Sequence, residues 1–207
     1  MKTSFRNCQG VGNPLTGHNL RGSHLVSRVG SLWLGVQVVM LVLLVGMFFY
    51  LHCTFVNHDD NAIWHLIGIY LNVCYVDRVA QLCFLSNYIN QLRGCIIVGE
   101  DFNCVSNINE KQGRNRVSAN RLQALNDFIL SSQLQDLGFS GHPFTWNNRR
   151  RGNDNIQMRL DRVLASVEWL DRYSSGVVHH LSELGSDHRP LLLDSCPNTV
   201  EGKFCFV

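Results

Sequence analysis

The sequence predicts an α/β fold in which two β-sheets meet at one site, with helices packed on the outside. Three observations lead there. Two apolar runs of strand length, residues 95–98 and 191–193, each stand beside side chains able to hold a metal or move a proton. Asp101 and Asn103 follow the first run after Gly99, and Asp187 and His188 precede the second. Between them, residues 78–92 and 118–133 carry apolar side chains at helical spacing, so strands and helices are interleaved.

Length and composition set the frame. A chain of 207 residues that is 45% hydrophobic can bury one sizeable core and is too short for two full domains. Without an internal repeat or a low-complexity linker, residues 1–207 read as a single domain. The net charge of +2 is too small to argue for a nucleic-acid partner, but Arg149, Arg150 and Arg151 are consecutive and can track a phosphate backbone. The eight cysteines show no Cys-x-x-Cys and no paired Cys/His spacing, which argues against structural zinc and suits a reducing compartment.

In chain order, residues 5–20 read as a short strand ending at Asn7 and then a glycine-rich turn. Residues 32–51 are almost wholly apolar and read two ways. Their length suits a transmembrane helix, with Arg21 and Arg28 favouring a cytoplasmic N-terminus. Their Val, Phe and Tyr content, broken by Gly35 and Gly46, suits two buried strands that have lost the loop between them. Residues 54–56 and 63–70 follow as a hairpin ending at Tyr70. Val79, Leu82, Leu85, Ile89 and Leu92 form the apolar stripe of a first helix. Gly99 lets the chain turn after 95–98. The two-residue spacing of Asp101 and Asn103 puts both on one face if the segment stays extended, and an Asx turn closing the strand is the alternative. Ser118 is the expected N-cap of the second helix, whose stripe is Leu122, Leu125, Phe128 and Ile129. Residues 144–146 and 156–164 read as a hairpin with the arginines at its tip, and Asp161 lies inside its return strand.

The motifs GEDFN (99–103), NEKQG (109–113), LQDLGFSGHPFTWNNRR (134–150), RLDRVL (159–164), EWL (168–170) and SDHRPLLL (186–193) occur in order at plausible separations. As a set they resemble the endonuclease/exonuclease/phosphatase superfamily, most closely the endonuclease domain of plant non-LTR (LINE-type) retrotransposons, with residues 54–195 the best-matching part. The resemblance implies a DNase I-like, four-layer sandwich of two mixed β-sheets flanked by helices, partly truncated on its N-terminal side. It implies a metal-dependent phosphodiester hydrolase whose partner is DNA, using Mg²⁺ or Mn²⁺ and no small-molecule cofactor.

Site roles carry over position by position. His188 is the base or phosphate-polarising group and Asp161 orients it; Asp101 positions or deprotonates water; Asn103 holds that water or a phosphate oxygen; Tyr70 contacts phosphate. Asp187 is a metal ligand, and Asn7, in the family's aromatic-x-Asn-Cys-x-Gly-x-Gly-Asn opening, belongs to the metal site with it, its amide suited to orient a metal-bound water or a phosphate oxygen. One part is missing. The family supplies a metal-ligating Glu soon after its first strand, whereas this sequence has no Asp or Glu before Asp59. Mg²⁺ relies on such carboxylates, so reduced metal affinity is expected. The alternatives are an inactive retrotransposon-derived relic, membrane-anchored through 32–51, and a phosphatase acting on a soluble phosphoester or phospholipid. The location follows the same fork: nuclear or cytoplasmic if the run is buried, membrane if it spans.

Overall fold

The end of the apolar run is β-structure. In the computed structural model, which describes residues 45–47, 49–56, 62–183, 185–197 and 203–206, β1 (Val45–Met47) and β2 (Tyr50–Val56) form a tight antiparallel hairpin, with Gly46 opposite Leu51. A strand pair over these residues is incompatible with one continuous helix from 32 to 51. Among the described residues no helix is long and apolar enough to cross a membrane. The β-branched and aromatic composition that favours pleated structure prevails at this end of the run. Residues 5–20 with Asn7, and residues 32–44, lie outside the described residues.

β3 (Ile63–Tyr70) pairs antiparallel with β2 and shows the period of two that buries both faces of a central strand. Trp64 and Leu66 point to one side, and Ile67 and Ile69 to the other. α1 (Tyr75–Ile89) then covers the Ile67 side with Leu82, Leu85 and Ile89. Val79, expected on this stripe, is exposed, and Arg78 is buried instead. Its guanidinium donates to the carbonyls of Asn72 and Val73, fixing the turn between β3 and the helix.

β4 (Cys95–Asp101) runs parallel to β3. Ile96 and Val98 join the helix-side core while Cys95 and Ile97 face the opposite way, which explains why the run is apolar at every position. After β5 (Lys111–Gln112), α2 (Ala119–Ser131) adds Leu125 and Phe128 to the helix-side core. Ser118 holds the N-cap position without a side-chain bond. The chain continues through β6 (Leu134–Asp136), β7 (Ser140–Gly141), β8 (Trp146–Asn147), β9 (Gln157–Met158) and β10 (Asp161–Ser166). α3 (Val167–Arg172) is capped by Ser166, which accepts from the Trp169 backbone. β11 (Val177–His180), β12 (Leu191–Asp194) and β13 (Lys203–Phe206) complete it.

These strands form two main mixed sheets, β1-β2-β3-β4-β10-β6 and β13-β12-β11-β7, with a small sheet β5-β9-β8. The return strand expected over 156–164 is split. Its first part stays with the hairpin as β9, and from Asp161 onward β10 pairs with β4 in the larger sheet. Wholly buried Trp169, with Trp64, Ile97, Val163, Val178, Leu191 and Leu193, fills the core between the two main sheets.

Beneath the split lies a buried ion quartet. The Arg162 guanidinium, with no exposed surface, bonds Glu110 at 2.8 Å and Asp136 at 2.9 Å, and Arg159 bonds Asp136 at 2.7 Å and Glu110 at 2.9 Å. It ties the loop after β4 and the end of β6 to the start of β10. Both carboxyls stay well below the usual carboxylate range because the arginines outweigh the cost of their burial.

A second polar network crosses β2 and β3. His65 Nε2 donates to the Arg93 carbonyl (3.0 Å), so its Nδ1 is an acceptor and takes the proton of His52 Nε2 (2.9 Å). His52 Nδ1 in turn accepts from the Tyr88 hydroxyl (2.7 Å). Both rings are therefore neutral. Burial, then the neighbouring His65, pushes the His52 pKa down to about 4, and burial lowers His65 as well. A histidine with a depressed folded pKa contributes full stability above its unfolded value near 6.5 and loses it as pH falls toward the folded value. Wild type should lose roughly 2 kcal/mol between pH 6.5 and 4 from His52, the full linkage being softened by solvent near the sheet edge. Urea unfolding across that range should show a shallower acid loss in His52→Phe, and equal slopes would refute the neutral pair.

Candidate active site

The site forms where β4 and β10 end side by side. Their register places Asp101 directly opposite Asp161, and Tyr70 is the β3 partner of Asp101 on its other side. Asp101 and Asp161 are both nearly buried, at 5% and 6% exposed. Each is held by a specific device.

Asp101 closes its strand with an Asx turn. Its Oδ1 accepts from the Asn103 backbone (2.8 Å) and its Oδ2 from the Asn103 amide (2.8 Å), while that amide also donates to the Leu71 carbonyl (2.7 Å). Asn103 reaches Asp101 through its left-handed backbone, φ 50°, and not by extended alternation. Positive φ falls at Glu100, not at the expected Gly99, which stays in the strand.

Asp161 faces His188, whose Nδ1 lies 3.0 and 3.2 Å from the two carboxylate oxygens. A carboxylate only accepts, so the proton sits on Nδ1 and Nε2 is left as the reactive nitrogen. The hydrogen bond to Asp161 raises the His188 pKa above 6.5, with Asp101 and Asp187 adding to it. Asp101 moves further: burial, then Asp161, pushes its carboxyl up to about 7. Glu100 is raised for the same two reasons.

Two residues that sequence reasoning left as plain strand hold this pair together. The Thr145 hydroxyl, 1% exposed, accepts from the backbones of both Leu160 and Asp161 (2.9 and 3.0 Å), and the Thr145 carbonyl accepts from the Arg189 backbone (2.7 Å). Trp146 forms an isolated bridge with His188 and donates its indole N–H to Asp187 (2.9 Å). That bond lowers the Asp187 pKa, and Asp187 remains at the surface. The only sequence signal was Thr-Trp between a Gly-His-Pro turn and an arginine run.

Asp101, Asn103, Asp161 and His188 are thus brought together by direct bonds or strand register, with Tyr70 exposed at their edge and Asp187 adjacent to His188. Asn7 lies outside the described residues. Arg149, Arg150 and Arg151 are exposed at the β8–β9 tip, and Arg149 additionally donates to the carbonyls of Gly185 and Ser186 just before Asp187. No three His, Cys, Asp or Glu side chains among the described residues converge closely enough to hold a metal by themselves.

No family model and no curated protein matches the sequence. Among solved structures the fold matches the endonuclease domain of TRAS1, a telomere-specific non-LTR retrotransposon, at 18% identity and TM-score 0.56, over 76% of this chain and 68% of that one. It also matches beta toxin 275-280 from Staphylococcus aureus, at 14% identity and TM-score 0.50, over 70% of this chain and 56% of the toxin. The likeness is one of fold. The DNase I-like α/β architecture of two mixed sheets expected from the sequence is the one observed.

Two outcomes follow from this geometry. Thr145→Val keeps shape but leaves two buried N–H groups without an acceptor, and should lower stability by about 2 kcal/mol in denaturant titration. A carboxyl whose folded pKa is raised contributes its stability below the unfolded value and loses it as pH rises through the folded one. Without divalent cations, Asp101→Asn should therefore gain roughly 3 kcal/mol on wild type between pH 4 and pH 8. A pH-independent difference would show that Asp101 is not crowded by Asp161.

Proposed function

We propose that this chain is a divalent-metal-dependent phosphodiester hydrolase of the retrotransposon-endonuclease type, acting on DNA. The observation that carries it is the His188–Asp161 pair set beside Asp101, an oriented imidazole next to a carboxylate that titrates near neutrality. Phosphodiester hydrolysis requires an activated water, compensation of charge on the phosphoryl oxygens, and a proton for the departing alkoxide.

Each part has a residue suited to it. His188 Nε2 takes the proton of the attacking water while Asp161 holds the ring and stabilises the imidazolium that results. Asp101, whose carboxyl exchanges its proton near pH 7, positions water or returns the proton to the leaving oxygen. Asn103 fixes Asp101 from both oxygens. Tyr70, exposed at the edge, and the arginines of the β8–β9 tip suit a phosphate backbone running past the site.

A divalent cation fits the chemistry of the carboxylates here: Glu100, Asp101, Asp161 and Asp187 offer hard anionic oxygens. Among the described residues no three of them converge, so water must complete any shell, and no Lys or Arg ion-pairs with any of the four. When bound, it would neutralise charge on the phosphoryl oxygens. Asp187 is the donor expected from the sequence. Because no Asp or Glu precedes Asp59, affinity should be weak, and activity should rise with metal concentration and when Mn²⁺ replaces Mg²⁺. The same absence favours a second reading, a relic that keeps the fold without the activity.

Nicking of supercoiled plasmid, with His188→Ala as the control, tests the assignment. His188→Ala should lower the rate by about a hundredfold or more. With His188 as base, the rate should rise with pH about a midpoint above 6.5, the direction in which Asp161 moves its pKa. A rate that only falls with pH, with no rising limb before Asp101 loses its proton, would make His188 a cationic phosphate ligand instead. Folded protein that cuts at no metal concentration would establish the relic reading.

A further inference from the structure

Glu100 lies where strand geometry alone would not put it. By alternation it belongs with Val98 and Phe102 on the helix side of β4, where both are buried. Its φ of 100°, rare for any side chain but glycine, turns it to the opposite face. A Cβ built on Gly68 would stand 3.3 Å from Glu100 Oε2, and Gly68 continues the Trp64–Leu66 face of β3 that looks toward the second sheet. Gly68 is the register partner of Gly99, so two adjacent glycines leave a side-chain-free hollow beside the site, and the Glu100 carboxylate reaches into it.

That face also carries Asp101 and Asp161. The three carboxylates are not equivalent. Asp161 is engaged by His188 and Asp101 by Asn103, while the Glu100 carboxylate makes no hydrogen bond or ion pair among the described residues. We infer that Glu100 is a ligand of the divalent cation, supplying with Asp101 the anionic oxygens that the N-terminal part of the sequence lacks. The inference rests on the hydrolase reading for the kind of ion involved. Two carboxylates completed by water are a normal shell for Mg²⁺, which accords with the absence of a three-residue cluster among the described residues. The hollow above Gly68 is what allows so bulky a residue at a glycine-like conformation.

Mn²⁺ binding to the purified full chain, followed by loss of the free-ion signal in electron paramagnetic resonance, tests this without reference to turnover. Glu100→Gln and Glu100→Gly should each weaken binding by at least about tenfold, and Asp127→Asn, at an exposed carboxylate on α2, should leave it within about twofold. Glu100→Gly suits the positive φ and should melt no lower than wild type in metal-free buffer, so its loss of Mn²⁺ is not a loss of folding. Wild-type affinity in both Glu100 variants, no saturable binding by wild type, or an equal loss in Asp127→Asn would overturn the assignment. Binding that depends on Glu100 in a protein that nicks no DNA would leave the assignment standing and remove the hydrolase reading.

Discussion

The antiparallel pairing of β4 with β10 sets two carboxylates, Asp101 and Asp161, directly opposite each other in a nearly water-free position. Like charges across such a pair are destabilising, and burial strengthens the effect. Much of the surrounding structure answers this constraint. His188 lies against Asp161, and Asn103 donates twice to Asp101. What remains uncompensated appears as a carboxyl on Asp101 that holds its proton up to about pH 7. The feature that makes the junction costly for the fold is the one on which the proposed proton transfer rests.

The junction cannot drift to relieve itself, because it is anchored on two sides. Below, the Arg159–Arg162–Glu110–Asp136 quartet joins the loop after β4, β6 and β10. Buried ion pairs of this kind add little net stability, but removing one partner strands the others, so the arrangement is specific even where it is not strongly stabilising. Above, Thr145 and Trp146 link the head of β10 to the 187–189 loop through backbone and side-chain bonds. The split of the expected 156–164 strand into β9 and β10 lets one segment serve both anchors.

Much of this was legible in the sequence. The runs at 95–98 and 191–193, the two helices and the 54–56/63–70 hairpin follow from periodicity that tertiary packing reinforces. Asp161, Asp187 and His188 were visible because acidic and imidazole groups at strand ends have few structural uses. Other features were hidden for definite reasons. Arg78 replaces Val79 on the buried face of α1 because it has two carbonyls to bond, a partner that helical spacing cannot show. Thr145 looks like any β-branched strand residue until the two N–H groups it accepts are placed. Apolarity alone left residues 32–51 open between helix and strand, and the β1–β2 register decides the matter only from Val45 onward.

Glu100 is the point where local rule and site disagree most. A positive φ in a non-glycine residue costs of order 1 kcal/mol or more, and a third carboxylate beside Asp101 and Asp161 adds repulsion. Nothing among the described residues offsets either cost, since no cation of the chain meets Glu100 and the hollow over Gly68 merely admits it. A conformation that is unfavourable by itself, held next to the reacting groups and directed at the same face, is the arrangement expected when the balancing charge comes from outside the chain. On that view a divalent cation would offset the repulsion of Glu100 by Asp161 and the crowding that, after burial, raises the Asp101 carboxyl.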